Sequence, residues 1–160
     1  MTLHVGDPAP DFTLGDQHGR RRSLGALRGE RAAVLVFFPF AFSGVCTGEL
    51  RELREQGGRL AEYDAELLAL SCDPMFALRV FADQDRLEFP LLSDFWPHGQ
   101  VARAYGAFDD RHGCPTRSTF LVDRDGVLRW SVHNPMGEPR SVDDYVSALD
   151  RLRGSDSGRR

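Results

Sequence analysis

Lysine and isoleucine are absent from this 160-residue chain, and asparagine occurs once, at Asn134. All twenty basic residues are arginine. This reads as the coding bias of a GC-rich genome, and it excludes any chemistry that needs a lysine Schiff base. Cysteine is sparse. Cys46, Cys72 and Cys114 are odd in number and widely spaced, which is not a secreted disulfide framework. No Cys-x-x-Cys is present, so neither a thioredoxin-type dithiol nor a zinc knuckle fits. The histidines (His4, His18, His98, His112, His133) form no i, i+4 pair, and neither a metal nor another cofactor is expected. No apolar run approaches the roughly eighteen residues of a membrane span. The start, Met1 to Asp7, lacks the basic and apolar regions of a signal peptide. A soluble, cytoplasmic protein without membrane contact is expected. A basic excess is also missing: 24 acids face 20 bases, for a net charge of -4. That argues against a nucleic-acid partner.

With 41% hydrophobic and 28% charged residues, the chain lies outside the composition range of disorder. Its length suits one domain, residues 1–153, followed by a tail over 154–160 that is expected to be disordered. Residues 32–38 are a continuous apolar run ended by Pro39, which predicts a strand buried on both faces. A helical pattern follows from Cys46, carried by Leu50, Leu53, Leu60 and Tyr63, with Glu49 among its polar positions. Gly57-Gly58 weakens that helix and marks a kink or an early end. Residues 67–71 predict a second buried strand. Asp73 is then expected to cap a helix with Pro74 at its first position and Phe76, Val80 and Phe81 on its apolar side.

Further on, residues 89–92 read as extended and 101–105 as a short helix closed by Gly106. Residues 119–123 and 127–132 flank an Arg-Asp-Gly turn, a hairpin signature. Ser141 and Asp144 resemble a capping box for a last helix buried through Val142, Tyr145, Val146, Leu149 and Leu152. The order of elements describes an α/β layer structure: a central mixed β-sheet flanked by helices.

The segment from Phe37 to Leu50 carries the chain from the end of a buried strand into the first turn of a helix. Ligands bind at this carboxyl-terminal edge in open α/β sheets. A cysteine there meets unpaired N–H groups and the positive end of the helix dipole, and both favour the nucleophilic thiolate. The same groups can receive an anion. Ser43, three residues earlier, can cap the helix or offer its hydroxyl to a substrate. From position alone, Cys46 could equally be a small apolar residue buried at a helix start.

Pro39, Ser43 and Cys46 match the pattern Pro-x-x-x-Thr/Ser-x-x-Cys, and the segment resembles the peroxiredoxin active site. The likeness extends to residues 5–14, to Pro90-Leu91-Leu92-Ser93-Asp94 and to Arg117-Ser118-Thr119-Phe120-Leu121-Val122-Asp123, spanning residues 5–132 in all. Residues 95–102, Phe-Trp-Pro-His-Gly-Gln-Val-Ala, resemble the AhpE group of one-cysteine peroxiredoxins. The resemblance implies a thioredoxin-like fold and a thiol peroxidase reducing hydrogen peroxide and organic hydroperoxides. It makes Cys46 the attacking thiolate, with Arg117 beside it contacting the peroxide. Ser43 would bond a peroxide oxygen, and Pro39 would shield the thiolate. Glu49 either orients Arg117 or is a favourable acid in a first helical turn.

The resulting Cys46 sulfenic acid must be recycled before it advances to irreversible states. The resemblance implies reduction by an external thiol or by a glutaredoxin-like, mycoredoxin-type protein, and a homodimer. PrxQ-type enzymes often place a resolving cysteine where this chain has Arg51. A thioredoxin-dependent enzyme would have to use Cys114, in a polar loop expected to be exposed, or Cys72, which reads as buried and apolar. A peroxide sensor or holdase chaperone is the alternative of another class. Arg20-Arg21-Arg22 reads as a solvated edge. Trp96 and Trp130 read as packing residues, and Phe37, Phe38, Phe40 and Phe42 as core and pocket wall.

Overall fold

A computed structural model describes residues 3–157. Nine strands and four α-helices alternate along the described chain. They are β1 (Thr13–Gly15), β2 (Arg21–Ser23), β3 (Ala32–Phe37), α1 (Gly44–Ala61), β4 (Ala65–Ser71), α2 (Met75–Asp85), β5 (Leu91–Ser93), α3 (Gln100–Ala104), β6 (Phe108–Asp109), β7 (Cys114–Pro115), β8 (Arg117–Val122), β9 (Leu128–Asn134) and α4 (Val142–Ser157). Seven strands form one mixed sheet in the order β2-β1-β5-β4-β3-β8-β9, and β6 and β7 form a separate ribbon. Inside the sheet, β3 runs parallel to β4 and antiparallel to β8.

Every residue of β3 is buried because the sheet is covered on both faces. Ala32, Val34 and Val36 face a core with Leu50 and Leu53 of α1, Leu78 and Phe81 of α2, and Tyr145 and Leu149 of α4. Ala33, Leu35 and Phe37 face a second core with Phe12, Leu24, Val101, Ala102 and Tyr105. This is the expected α/β, thioredoxin-like arrangement of a central mixed sheet flanked by helices. Among the described residues, no helix is long and apolar enough to cross a membrane.

Several local expectations are corrected. Helix α1 runs through Gly57-Gly58 to Ala61. Each glycine costs about 1 kcal/mol relative to alanine, and burial of Leu53 and Leu60 on either side offsets this. Pro74, not Asp73, is the N-cap of α2, and the Asp73 carboxylate is engaged elsewhere. The inward face of α2 is Leu78, Phe81, Ala82 and Asp85, spaced i, i+3, i+4 and i+7. Phe76 and Val80 therefore point outward and are exposed. Trp96 is 81% exposed rather than packed, while Trp130 does pack, edge-on to Tyr145. Phe37 and Phe38 are core, but Phe40 and Phe42 are half exposed. Helix α4 runs through Ser157, four residues into the segment expected to be disordered. Its end is tied down by Arg153, which donates to the Glu62 carbonyl and stacks on Tyr63. Residues 158–160 lie outside the described residues.

Candidate active site

Between β3 and α1 the chain crosses residues 38–43, and this loop is pinned from the neighbouring strand end. The Asp73 carboxylate accepts the Ala41 N–H at 2.9 Å and the Ser71 hydroxyl at 2.8 Å. The expected cap is thus a brace between the ends of β4 and β3. Pro39 is buried in this loop. Phe42 has φ 69°, a left-handed conformation that costs an ordinary L-residue about 1–2 kcal/mol, and its ring packs 5.2 Å from that of Phe81. Ser43 follows as the N-cap of α1. Its carbonyl receives the Thr47 N–H at 2.9 Å, and its half-buried hydroxyl makes no capping bond.

Cys46 is the third residue of α1 and has no exposed surface. Helix geometry leaves the amides of this first turn without intrahelical acceptors. Arg117, at the start of β8, is buried and reaches across so that its Nη2 lies 3.4 Å from the Cys46 sulfur. Its Nε donates to the Met136 carbonyl at 3.0 Å, and its Nη1 donates to Glu49. Two of the residues singled out in the sequence, Cys46 and Arg117, are therefore in contact. Glu49 is buried, one turn further along α1 on the face of Cys46 rather than in solvent.

Arg140 is the partner that the sequence reading missed. It lies just before α4, is buried, and binds Glu49 through its backbone N–H at 2.6 Å, Nε at 2.9 Å and Nη2 at 3.0 Å. Its Nη1 donates to the carbonyls of Phe37 and Ser118, both at 2.8 Å, and to the Thr119 hydroxyl at 3.1 Å. Its only sequence signal is an arginine just before the Ser141 helix start. Two guanidiniums and one carboxylate leave this buried cluster with one positive charge in excess. Among the described residues, no buried side-chain nitrogen or oxygen lacks a hydrogen-bond partner.

The other cysteines are free thiols, as is Cys46. Cys72 is buried at the end of β4, and burial pushes its pKa up to about 12, helped by Asp94 and Cys114. Cys114 is wholly buried, not exposed, because the β6–β7 ribbon pairs Asp109 with Cys114 and turns the side chain inward. Burial, then Asp109 and Cys46, push its pKa up to about 11.

A thioredoxin-like sheet with a cysteine in the first helical turn after an interior strand, facing a buried arginine, defines a thiol-based redox protein. The sequence pattern of the AhpC/TSA family matches residues 5–131. Alkyl hydroperoxide reductase E of Mycobacterium tuberculosis is 44% identical over 150 residues, which cover 94% of this chain and 98% of that protein. Among solved structures, AhpC of Enterococcus faecalis matches with a TM-score of 0.89 at 27% identity, over 98% of this chain and 96% of that one. Peroxidoxin BcpB of Mycobacterium tuberculosis matches at 0.83 and 31%, over 94% and 98%. The chain belongs to the AhpC/TSA family and is a peroxiredoxin of the AhpE type, a thiol-dependent peroxidase.

Proposed function

We propose that Cys46 is the peroxidatic cysteine and that it reduces hydrogen peroxide and organic hydroperoxides with Arg117, Ser43 and Pro39. The observation that carries this reading is the contact of Arg117 Nη2 with the Cys46 sulfur. The buried cluster of Arg117, Arg140 and Glu49 has one uncompensated positive charge, and a Cys46 thiolate supplies the missing negative one. Burying an unbalanced charge is costly, and the sulfur in contact with that charge is that of Cys46.

The thiolate attacks one peroxide oxygen in line. The O–O bond breaks, and the departing oxygen leaves as water or an alcohol after taking a proton. Negative charge moves onto the oxygens as this happens. Donors fixed in place before the reaction, Arg117 Nη2 and the free amides of the first α1 turn, stabilise it without reorganisation. The Ser43 hydroxyl, uncommitted to capping, holds a peroxide oxygen. Pro39 has no N–H and walls the sulfur from water. Phe40 and Phe42, half exposed beside Ser43 in the chain, give the approach an apolar rim suited to organic hydroperoxides.

The sulfenic acid is returned to thiol by an external thiol or a glutaredoxin-like, mycoredoxin-type protein, because both other cysteines are buried as neutral thiols. Three unpaired thiols suit a reducing compartment such as the cytoplasm. Phe76, Val80, Phe95 and Trp96 are exposed apolar side chains on α2 and the β5–α3 loop, and such surface is suited to a homodimer contact. The test is Cys46→Ser, which abolishes peroxide consumption with any reductant. Turnover retained in that variant moves the chemistry to another residue.

A further inference from the structure

The loop that carries Pro39 and Ser43 is tied at both ends. Phe38 donates its N–H to the Leu70 carbonyl at 2.9 Å, and the Ser43 carbonyl receives the Thr47 N–H at 2.9 Å. Between these ends, the main chain of residues 39–42 makes a single hydrogen bond among the described residues. It runs from the Ala41 N–H to Asp73 Oδ2 at 2.9 Å. The next residue, Phe42, has φ 69°. An L-residue in the left-handed region stays there because its surroundings hold it. Here the holds are Asp73 on the preceding amide and Phe81 against the ring.

Asp73 is itself fixed. The Ser71 hydroxyl donates to the same Oδ2 at 2.8 Å, and the Asp73 N–H donates to the Ser71 hydroxyl oxygen at 3.3 Å. The Ser93 hydroxyl donates to the Asp73 carbonyl at 2.7 Å. Ser71 ends β4 and Ser93 ends β5, and the two residues pair in the sheet. An acceptor mounted on two strand ends is rigid, and rigid elements place a site more precisely than loops do. A nearer use was available, because α2 begins just beyond Asp73 and its first amides lack intrahelical acceptors. The carboxylate is aimed at the loop instead.

What this sets is the direction of Ser43. A residue within a helix is oriented by the helix, but Ser43 is an N-cap with φ -69° and ψ 148°. Its side chain therefore points where the entering residues 41 and 42 direct it. The hydroxyl makes no capping bond that would hold it from the helix side. We propose that Asp73 is a positioning residue for the peroxide step: through the Ala41 amide it aims the Ser43 hydroxyl at the peroxide. The proposal rests on Cys46 being the peroxidatic residue and on Ser43 binding a peroxide oxygen.

The position of the acceptor, not its charge, carries the effect. Both bonds fall on Oδ2, so the single oxygen of an asparagine side chain can accept both. A glutamate keeps the charge and sets its oxygens one methylene further away.

The experiment measures, by stopped flow, the second-order rate constant of the reduced full-length protein with hydrogen peroxide. Asp73→Ala is expected to slow this step roughly 10- to 100-fold, as a small displacement at a reacting centre does. Asp73→Asn recovers most of the loss, whereas Asp73→Glu stays slow. In a Ser43→Ala background, adding Asp73→Ala costs about 2-fold or less, because the two residues act as one unit. A wild-type rate in Asp73→Ala overturns the proposal. Recovery by Asp73→Glu but not by Asp73→Asn also overturns it, and this comparison decides the matter where Asp73→Ala does not fold. So does a full loss repeated in the Ser43→Ala background, which would make Asp73 a support of the fold in general. Each of these results leaves the peroxidatic role of Cys46 standing. An unchanged rate in Ser43→Ala alone removes the role of Ser43 and the proposal with it, and peroxide consumption by Cys46→Ser removes the whole reading.

Discussion

Glu49→Gln removes one charge and almost no volume from the centre of the buried cluster. The carboxylate accepts four hydrogen bonds, two on each oxygen, from Arg117 Nη1 and from Arg140 N, Nε and Nη2. Glutamine has one acceptor oxygen, and its amide donors would confront whichever two donors lost theirs. Breaking a buried ion pair from one side costs about 3–5 kcal/mol. For a chain of this length each kcal/mol moves Tm by about 2–4 °C, so Tm falls by about 6–20 °C. Arg117 keeps its bond to the Met136 carbonyl but swings about it, and a displacement of about 1 Å at a reacting centre costs about 10²-fold in rate. The cluster meanwhile becomes more positive, so the thiolate itself is not lost. Thermal unfolding under reducing conditions measures the first effect. Stopped-flow fluorescence on mixing with peroxide measures the second, and the ultraviolet absorbance of the thiolate measures the third. A Tm within about 2 °C of wild type and an unchanged peroxide rate would refute the role given to the carboxylate, because the two arginines would then be held by their other bonds.

Three further outcomes follow from the geometry. Arg117→Lys keeps the charge but cannot reach Met136, Glu49 and Cys46 together. The peroxide step should slow by about 10²–10³-fold, and a wild-type rate in stopped flow would show that charge alone suffices. Phe76→Asp places a carboxylate among the exposed apolar side chains of α2. In sedimentation velocity the proposed homodimer should dissociate to monomers in this variant, and a dimer that survives puts the contact elsewhere. The third outcome concerns alkaline stability. Cys72 and Cys114 ionise near 9.0 when unperturbed but near 12 and 11 in the fold. The unfolded chain therefore loses these protons first, so their stabilising contribution is complete below pH 9 and is lost as pH rises towards 11–12. Urea titrations should show stability falling by about 1.4 kcal/mol per pH unit per thiol in that window, and a flat profile would mean that the thiols are hydrated.

What could be read from the sequence is what lies in short segments. The apolar run at 32–38, the Arg124-Asp125-Gly126 turn and the Pro39–Ser43–Cys46 spacing each depend on neighbours in the chain, and each appears in the fold. Side-chain direction along α2 was harder, because Phe76 and Val80 are as apolar as Leu78 and Phe81. Only the i, i+3, i+4 stripe through Leu78 separates inside from outside. Asp73 shows the same limit at a turn. Asp before Pro fits a helix cap, and only the approach of residue 41 from another strand end gives the carboxylate a stronger use.

The deepest miss was Arg140. Nothing near it in the chain marks it, since its partners lie at Phe37, Glu49, Ser118 and Thr119. Yet it changes what Arg117 can do. With Glu49 shared between two arginines, no carboxylate is left to neutralise Arg117 alone, and its remaining nitrogen turns to sulfur. A single Arg–Glu pair would have been electrically complete, with less need of a thiolate. The second arginine leaves the buried cluster with one positive charge in excess, and the side chain that Arg117 touches with its remaining nitrogen is Cys46.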